Sequence, residues 1–559
     1  MSAPFPSSFL SRAASPLPRT GGKRPSATTT DGGIALAAGW PGSGTTTPRT
    51  TPGTRPSERR PVPLPAVASG GRAFPAAEGA AALAPSEAEL ARLRRVAVGE
   101  EEADLLVHSG TVVVVQTGQL LRRDVAIVGR FIAAVTRPGA LAGRRSLDAT
   151  DRYLLPGYVD AHVRPEHTLL LPGEAARLLV PRGTVTVLTD PAGLRNRCGP
   201  GGAGLATTTG TPLRLVTRRP GVPGPAAADL LPGEQAGAHR MLSDLVGPGQ
   251  LACAVRSGIT GGLAPAEAVR RATLAPARRH GFDQVLGAIL PAHLADLQIV
   301  TEIGGVEPPH LVVAGGRIAA AQGRPLFDNP DRAPGWALDM VRLPVNLHVG
   351  SFALAGWPGH PAGLPAAVEI VSRISTPVVP SRPDGLAALL PGLPTVPSAP
   401  GGRPVPRQVR VEPAVRGGLI VADPGHDLLK IALVDRSGSQ EPVRVRLLRG
   451  VGLTSGAIGV TSTDAPGDLV LVGTNDADML TAARALEGMG GGYVVIDRGW
   501  VQAACPLPVA GVVSDAPWEA VEGQLAAADT AALAIGCRIT SPLQTLADLG
   551  TALFTRPAS

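Results

Sequence analysis

Two buried strand-like runs on either side of a short helix are the feature that most constrains the fold of this chain. Residues 154–162 are largely apolar, residues 183–190 are rich in β-branched side chains, and residues 174–180 between them have helical spacing. A strand, a helix and a second buried strand in this order form the βαβ unit of a parallel sheet or barrel. The sequence therefore predicts an α/β protein.

The parallel region is short for a complete barrel. An eight-stranded α/β barrel typically takes about 250 residues, whereas the span available here is 154–284. Only 26 residues separate Asp190, which ends the second strand, from Thr217, which ends the next predicted strand. We therefore expect a truncated or incomplete barrel.

The other segments are distinguished by their composition and by strand signals. The N-terminal stretch is rich in Pro, Ser, Thr and Arg and is predicted to be a disordered tail, although Ser86 can cap a helix near its end. Short β-branched runs on both sides of the barrel predict one small composite β-sandwich domain. The predicted boundaries are 1–98 for the tail, 103–153 with 285–330 for the β-sandwich, 154–284 for the barrel region, 331–407 for a Pro/Gly-rich linker, and 408–555 for a C-terminal α/β domain.

The net charge of +7 comes almost entirely from the predicted tail. Residues 1–60 carry eight basic and two acidic side chains, so the rest of the chain is nearly neutral and no specific nucleic-acid partner is expected. No apolar run approaches the roughly 20 residues of a membrane span. The four cysteines contain no CxxC pair and are typical of buried thiols. We predict a cytoplasmic protein without a membrane partner.

Several motifs carry a family resemblance. Residues 156–162, PGYVDAH, are similar to the amidohydrolase signature in which a strand ends in PGxIDxHxH. Residues 160–166, DAHVRPE, resemble the DAHxHxE of adenine deaminases, and residues 181–191, PRGTVTVLTDP, resemble their PHGTTTVVxDPHE strand. Further family motifs lie at 422–432, 452–458, 472–476, 490–492 and 507–515. The chain is identified as a member of the adenine deaminase family of the amidohydrolase superfamily.

The resemblance implies a function and a site. It implies hydrolysis of adenine to hypoxanthine and ammonia in purine salvage, with a small-molecule purine as substrate and a homo-oligomer as the assembly. It also implies a divalent metal, Mn or Fe, whose bound hydroxide attacks the ring. On the matching positions, His162 is a metal ligand, and Glu166 and Asp190 are catalytic carboxylates. The resemblance assigns no substrate-binding residue.

Other positions of the family motifs carry residues that cannot bind a metal. The second histidine of the first motif falls on Arg164 and a later metal-binding aspartate falls on Arg218. A guanidinium stays protonated and cannot ligate a cation. The His and Glu of DPHE fall on Ala192 and Gly193, and the C-terminal HDSH falls on 464–467. We therefore expect impaired activity. The alternative is a catalytically inactive homologue that acts as a binding or scaffold protein, or a decaying paralogue.

Structural interpretations of the candidate residues also stand. A lone histidine such as His162 is more often a surface or hydrogen-bonded residue than a metal ligand. Asp190 precedes Pro191 and can simply cap a turn. His167 has no counterpart in the family motif and is predicted at the surface, and His239 is predicted to be structural.

Overall fold

The computed structural model describes residues 79–190, 192–207, 210–218, 222, 230–231, 242–246, 250–338, 340–355, 366–371, 405–411, 413–434, 443–462, 469–539 and 541–554. All of these residues lie in one compact unit, Val67–Ser559. Residues 239 and 464–467, which the sequence motifs single out, lie outside the described residues.

Two helices open the described chain, α1 (Gly79–Leu83) and α2 (Glu87–Ala97). Ser86 caps α2 as predicted, because its side chain accepts from the Glu89 amide and the Glu89 carboxylate accepts from the Ser86 amide at 2.8 Å. Leu93 and Val96 of α2 are buried in a core shared with the following strands. The predicted end of the disordered tail at residue 98 therefore differs from the structure, since an apolar helix face packs there.

Five strands follow, and three of them form an antiparallel meander. They are β1 (Leu105–Val114), β2 (Gln119–Val128), β3 (Phe131–Thr136), β4 (Ser146–Asp148) and β5 (Tyr153–Pro156). β1 pairs with β2 and β2 with β3 in antiparallel fashion, whereas β4 and β5 run parallel to β1. The β-branched runs of the sequence thus become the centre of a sheet.

The predicted barrel region folds around a small parallel sheet. Its elements are β6 (Tyr158–Asp160), α3 (Pro165–Thr168), α4 (Pro172–Leu179), β7 (Thr184–Thr189), α5 (Ala192–Cys198), α6 (Pro200–Thr207), β8 (Arg214–Thr217), α7 (Leu242–Val246), α8 (Leu251–Thr260), α9 (Pro265–Arg271) and α10 (Leu274–Arg279). The strand order is β6-β7-β8, all parallel, and every residue of the central strand β7 is buried. A central parallel strand is covered on both faces, which explains the continuous apolar run of its sequence. Within the described residues this sheet has three strands, so the prediction of an α/β fold with a shortened barrel is confirmed.

The chain then returns to the first sheet. The returning strands are β9 (Leu297–Val300), β10 (Leu311–Ala314), β11 (Arg317–Ala321) and β12 (Arg324–Pro325). β5 and β9 pair antiparallel, with Leu154 opposite Ile299. The result is one nine-stranded sheet of order β12-β11-β10-β9-β5-β1-β2-β3, with β4 alongside β1. The two predicted pieces on either side of the barrel region thus share one sheet.

The last part of the chain builds a second large sheet. The elements of this last part of the chain are β13 (Leu354–Ala355), β14 (Ala366–Val371), β15 (Val405–Arg410), β16 (Val415–Arg416), β17 (Leu419–Ile420), β18 (Leu429–Val434), β19 (Val443–Arg449), β20 (Ala457–Thr461), β21 (Leu469–Gly473), α11 (Asp476–Gly488), β22 (Gly492–Asp497), β23 (Trp500–Pro506), α12 (Trp518–Ala534) and α13 (Pro542–Phe554). The order of the eight-stranded sheet is β15-β14-β19-β18-β21-β20-β22-β23. Strand β14 comes from the segment predicted as a linker. Short 3-10 turns occupy Val180–Arg182, Gly335–Ala337, Val349–Phe352 and Pro424–His426.

The helices of this region cover opposite faces of the second sheet. Val494 and Ile496 pack in a core with α11, whereas Tyr493 and Val495 pack in a core with α12 and α13. This alternation is the two-residue period of a strand. The sheet is therefore covered on both sides.

The barrel region and the second sheet share one core. Leu178 and Leu179 of α4 belong to the same buried cluster as α12. Glu174 of α4, which is 6% exposed, accepts hydrogen bonds from Asn329 Nδ2 at 2.7 Å and from the backbone amide of Trp518 at 3.1 Å. A carboxylate at the first residue of α12 is favoured by the helix dipole. Glu174 thus joins α4 to the beginning of α12.

Candidate functional site at the ends of the parallel strands

The carboxyl ends of β6, β7 and β8 meet at one edge of the small parallel sheet. Asp160 lies opposite Val187, and Thr189 lies opposite Thr217. The residues that follow each strand therefore lie at the same edge, where α/β proteins commonly place their functional side chains. All three predicted site residues, His162, Glu166 and Asp190, follow one of these strands.

His162 follows β6 in a turn that Asp160 holds. Asp160 is 1% exposed, and its Oδ1 accepts a hydrogen bond from the His162 backbone amide at 2.8 Å. The His162 side chain is half-buried and borders a cavity of about 20 Å³, which also has Leu230, Leu251, Pro276, Arg271 and Arg279 in its wall. The wall of this cavity is thus apolar and cationic.

Asp190 uses its two carboxylate oxygens for two different contacts. Its Oδ1 accepts from the Ala192 backbone amide at 3.0 Å, which begins α5, as the turn-capping interpretation predicts. Its Oδ2 lies 3.5 Å from Arg164 Nη2. The predicted catalytic carboxylate is therefore engaged by a backbone amide on one side and by a guanidinium on the other.

Arg218 follows β8 and turns back over the neighbouring strand ends. Its backbone amide donates to Thr189 O at 2.8 Å, and its Nη1 donates to Ala161 O at 3.3 Å. Burial and the nearby Arg164 charge lower the pKa of Arg218, whereas Asp190 and Glu166 raise it. The two arginines and the two predicted catalytic carboxylates thus share one electrostatic neighbourhood.

Glu166 lies in α3 and is only 2% exposed. Its carboxylate lies against the first turn of α5, where a Cβ added at Gly193 would overlap Glu166 Oε1. The family motif has a glutamate at position 193. A side chain at 193 and Glu166 in its present place exclude each other, so the glycine is needed to seat this carboxylate.

His167, next to Glu166, corrects one sequence prediction. It was predicted at the surface, but it is 3% exposed. Helix α3 packs against α4 and α7, and this packing encloses its side chains. A short helix with two titratable residues in succession gives no sequence signal for such burial.

His280 is a residue of this region that the motifs did not identify. It follows α10, is 6% exposed, and its Nδ1 has no hydrogen-bond partner among the described residues. Burial, the Arg218 charge and the Arg279 charge lower the pKa of His280 to about 4, and His162 contributes in the same direction. His280 is therefore neutral at neutral pH. In the sequence, His280 ends a basic run, RRH, and such a run predicts an exposed helix end rather than a buried histidine.

The donor atoms of this site do not fit a divalent cation. Among the described residues, no group of three or more His, Cys, Asp or Glu side chains could hold a metal ion. Structural and catalytic metal sites need three or four such donors. Here Arg164 and Arg218 lie at strand ends where the family motifs have ligands. The predicted role of His162 as a metal ligand therefore finds no second and third ligand in the described part of the chain.

Comparisons with known proteins agree with the motifs. Residues 405–555 match the family model of the adenine deaminase C-terminal domain. An adenine deaminase of Moorella thermoacetica is 27% identical over 83% of this chain and 94% of its own length. An adenine deaminase of Cereibacter sphaeroides is 29% identical over 81% of this chain and 93% of its own length. The chain is therefore similar to adenine deaminases over most of its length, and its C-terminal part matches the C-terminal domain of that family.

These matches confirm the resemblance to adenine deaminases stated from the sequence. Among solved structures, an adenosine deaminase of Xanthomonas campestris with bound zinc is 14% identical, with a TM-score of 0.28, and covers 41% of this chain and 95% of that chain. A TM-score this low carries no argument about this chain. No helix among the described residues is both long and apolar enough to cross a membrane. The chain thus combines a match to the adenine deaminase C-terminal domain with a strand-end site that departs from the family motifs.

Proposed function

We propose that this chain is an adenine deaminase-like protein of purine salvage whose hydrolysis of adenine to hypoxanthine and ammonia is impaired. Relatives named adenine deaminase align over most of its length, which supports a small purine as ligand. The observation that carries the impairment is the state of the two carboxylates. Asp190 faces Arg164 at 3.5 Å, and Glu166 is 2% exposed.

These contacts work against general acid–base catalysis. A catalytic carboxylate must come within hydrogen-bond reach of the proton that it transfers. Asp190 already accepts from Ala192 and faces a guanidinium, and Glu166 is enclosed by α5. Glu166 is thus enclosed, and Asp190, whose side chain is 37% exposed, has both of its oxygens engaged. A non-catalytic family member that still binds a partner or a purine is the second candidate, and the incomplete donor set favours it.

The size of the impairment follows from the missing donors. A catalytic metal stabilises the transition state by several kcal/mol, and about 4 kcal/mol corresponds to roughly a 10³-fold change in rate. We therefore expect kcat/KM for adenine to be at least about 10³-fold below that of a relative with the complete motif. Residual turnover in this range would favour the impaired enzyme, and none would favour the non-catalytic candidate.

The test is release of ammonia and hypoxanthine from adenine by the purified full-length chain, with added Mn²⁺, Fe²⁺ or Zn²⁺. The Moorella thermoacetica relative serves as the positive control. Glu166→Gln and Asp190→Asn distinguish genuine residual activity from contamination, because only genuine activity responds to them. Calorimetric titration with adenine tests binding separately from turnover. A kcat/KM equal to that of the relative contradicts the proposal.

A further inference from the structure

Two guanidinium groups lie among the acidic groups at the ends of β6, β7 and β8. Arg164 Nη2 is 3.5 Å from Asp190 Oδ2, and Arg164 is 21% exposed at its side chain. Arg218 donates to Ala161 O at 3.3 Å and interacts electrostatically with Asp190 and Glu166. One ion pair therefore joins Arg164 to Asp190, and Arg218 is close enough to both carboxylates to be influenced by their charges.

We propose that Arg164 and Arg218 are internal counter-ions that take the place of a bound divalent cation, so that this strand-end site is complete without metal. The proposal deepens the proposed function, because it concerns the same site and assigns it a charge balance of its own. Glu166 is 2% exposed and the Asp190 side chain is 37% exposed, and a carboxylate with reduced access to water is stabilised by a compensating positive charge. In this chain the guanidiniums supply that charge from within the polypeptide.

Electrostatics makes the arginines and a divalent cation alternatives. A metal ion near Asp190 would stand beside Arg164, and like charges at such distances repel strongly in a partly buried site. The guanidinium cannot lose its proton to relieve this repulsion. Removal of the arginines would therefore leave these carboxylates without a counter-charge.

One other departure from the family motif is compatible with this arrangement. Gly193 leaves room for Glu166 against α5, where the Glu166 charge acts on Arg218. Ala192 replaces a histidine, and only its backbone amide contacts Asp190, as the amide of any non-proline residue would.

The first experiment measures metal on the wild-type protein. After purification and dialysis, elemental analysis should find no stoichiometric Mn, Fe or Zn. Neither a chelator nor added Mn²⁺ or Zn²⁺ should shift the Tm of the wild-type chain. Stoichiometric, tightly held metal, or a fall in Tm on chelation, would overturn the proposal. This experiment uses only the wild-type protein and needs no substrate.

The second experiment removes the positive charge. Arg164→Ala, Arg218→Ala and the double variant should melt below wild type. Arg195→Ala is the matched control, because Arg195 is an exposed arginine of α5. Equal melting of Arg164→Ala and Arg195→Ala contradicts the proposal.

The outcomes separate this proposal from the proposed function. Metal content and metal-dependent Tm report on the counter-ions alone, whereas adenine turnover reports on catalysis alone. A metal-free protein that deaminates adenine at the rate of its relative would refute the impairment and leave the counter-ions in place. A metal-loaded protein with low turnover would do the opposite.

Discussion

A buried ion pair joins the small parallel sheet to the nine-stranded sheet, and its removal gives the sharpest stability prediction. Arg214 of β8 donates to Asp296 Oδ2 at 2.6 Å, and the two side chains are 12% and 8% exposed. Asp296 Oδ1 also accepts from the Gly315 backbone amide at 2.7 Å. We predict that Arg214→Ala destabilises the protein strongly, because it leaves the Asp296 carboxylate buried without a cation.

The magnitude follows from the burial of the pair. Removal of one partner of a buried ion pair costs about 3–5 kcal/mol, whereas a mutation at an exposed pair costs about 0–1 kcal/mol. The bond from Gly315 remains in Arg214→Ala, so we expect the lower part of the first range, about 3 kcal/mol. Arg278 and Asp283 form a matched exposed pair at 3.3 Å, with Arg278 62% exposed. Arg278→Ala should cost less than about 1 kcal/mol.

The charge itself can be separated from packing with a double variant. Arg214→Met with Asp296→Asn removes both charges, and the asparagine oxygen can still accept from Gly315. Its cost should stay below about 1.5 kcal/mol, since neutral replacement of a buried pair is often nearly neutral. The double variant should therefore be more stable than Arg214→Ala by at least about 1.5 kcal/mol.

Urea unfolding gives the free energies, and native-state hydrogen exchange of the β8 and β9 amides localises the effect. A chain with two large sheets can unfold in more than one step, so exchange at these strands is the decisive measurement. Equal losses in Arg214→Ala and Arg278→Ala would refute the reasoning. So would a double variant as unstable as Arg214→Ala.

Three further predictions concern single positions. Gly193→Ala should lower the free energy of unfolding in urea by about 1–3 kcal/mol because its Cβ overlaps Glu166. The control Gly204→Ala on α6 places its Cβ in open space and should stabilise the protein by up to about 1 kcal/mol. Equal effects of the two substitutions would contradict the prediction. Burial raises the pKa of Asp529 from 3.8 to about 6. The protonated carboxyl group should therefore contribute up to about 3 kcal/mol to the free energy of unfolding below about pH 4, and this contribution should be lost as the pH rises through about 6. Asp529→Asn should abolish this pH dependence of unfolding. The pKa of His280 is lowered to about 4, so its contribution to stability has the opposite sign: the protein should lose up to about 3 kcal/mol as the pH drops from about 6.5 to about 4. His280→Leu should remove that loss. An unchanged pH profile of stability in this variant would contradict the prediction.

The sequence predicted the elements that depend on local pattern. The buried strands around Val159 and Val187, the Ser86 cap and the shortened parallel region all follow from periodicity, turn residues and length. The family was also readable, because its motifs are local in sequence. The approximate position of the site followed from the strand ends.

Contacts between distant segments were not predictable in the same way. Arg164 meets Asp190, 26 residues away, through the parallel register of β6 and β7. His280 reaches the same neighbourhood from α10, far along the chain. Strand β14 joins the second sheet from within a Pro/Gly-rich segment. Each depends on tertiary pairing, which composition and periodicity do not encode.

The departures from the family motif are mutually compensated, and this bears on the choice between a remodelled protein and a decaying one. Loss without selection would remove ligands independently and leave buried charges without partners. In the structure, Arg164 instead faces Asp190, and Gly193 makes the space that Glu166 occupies. A buried charge without a counter-charge is costly, so a chain that lost metal ligands at random would be expected to lose stability at this edge. The paired arrangement therefore favours a strand-end site that has been rebuilt to fold without metal. Arginine variants that are as stable as wild type would remove this argument.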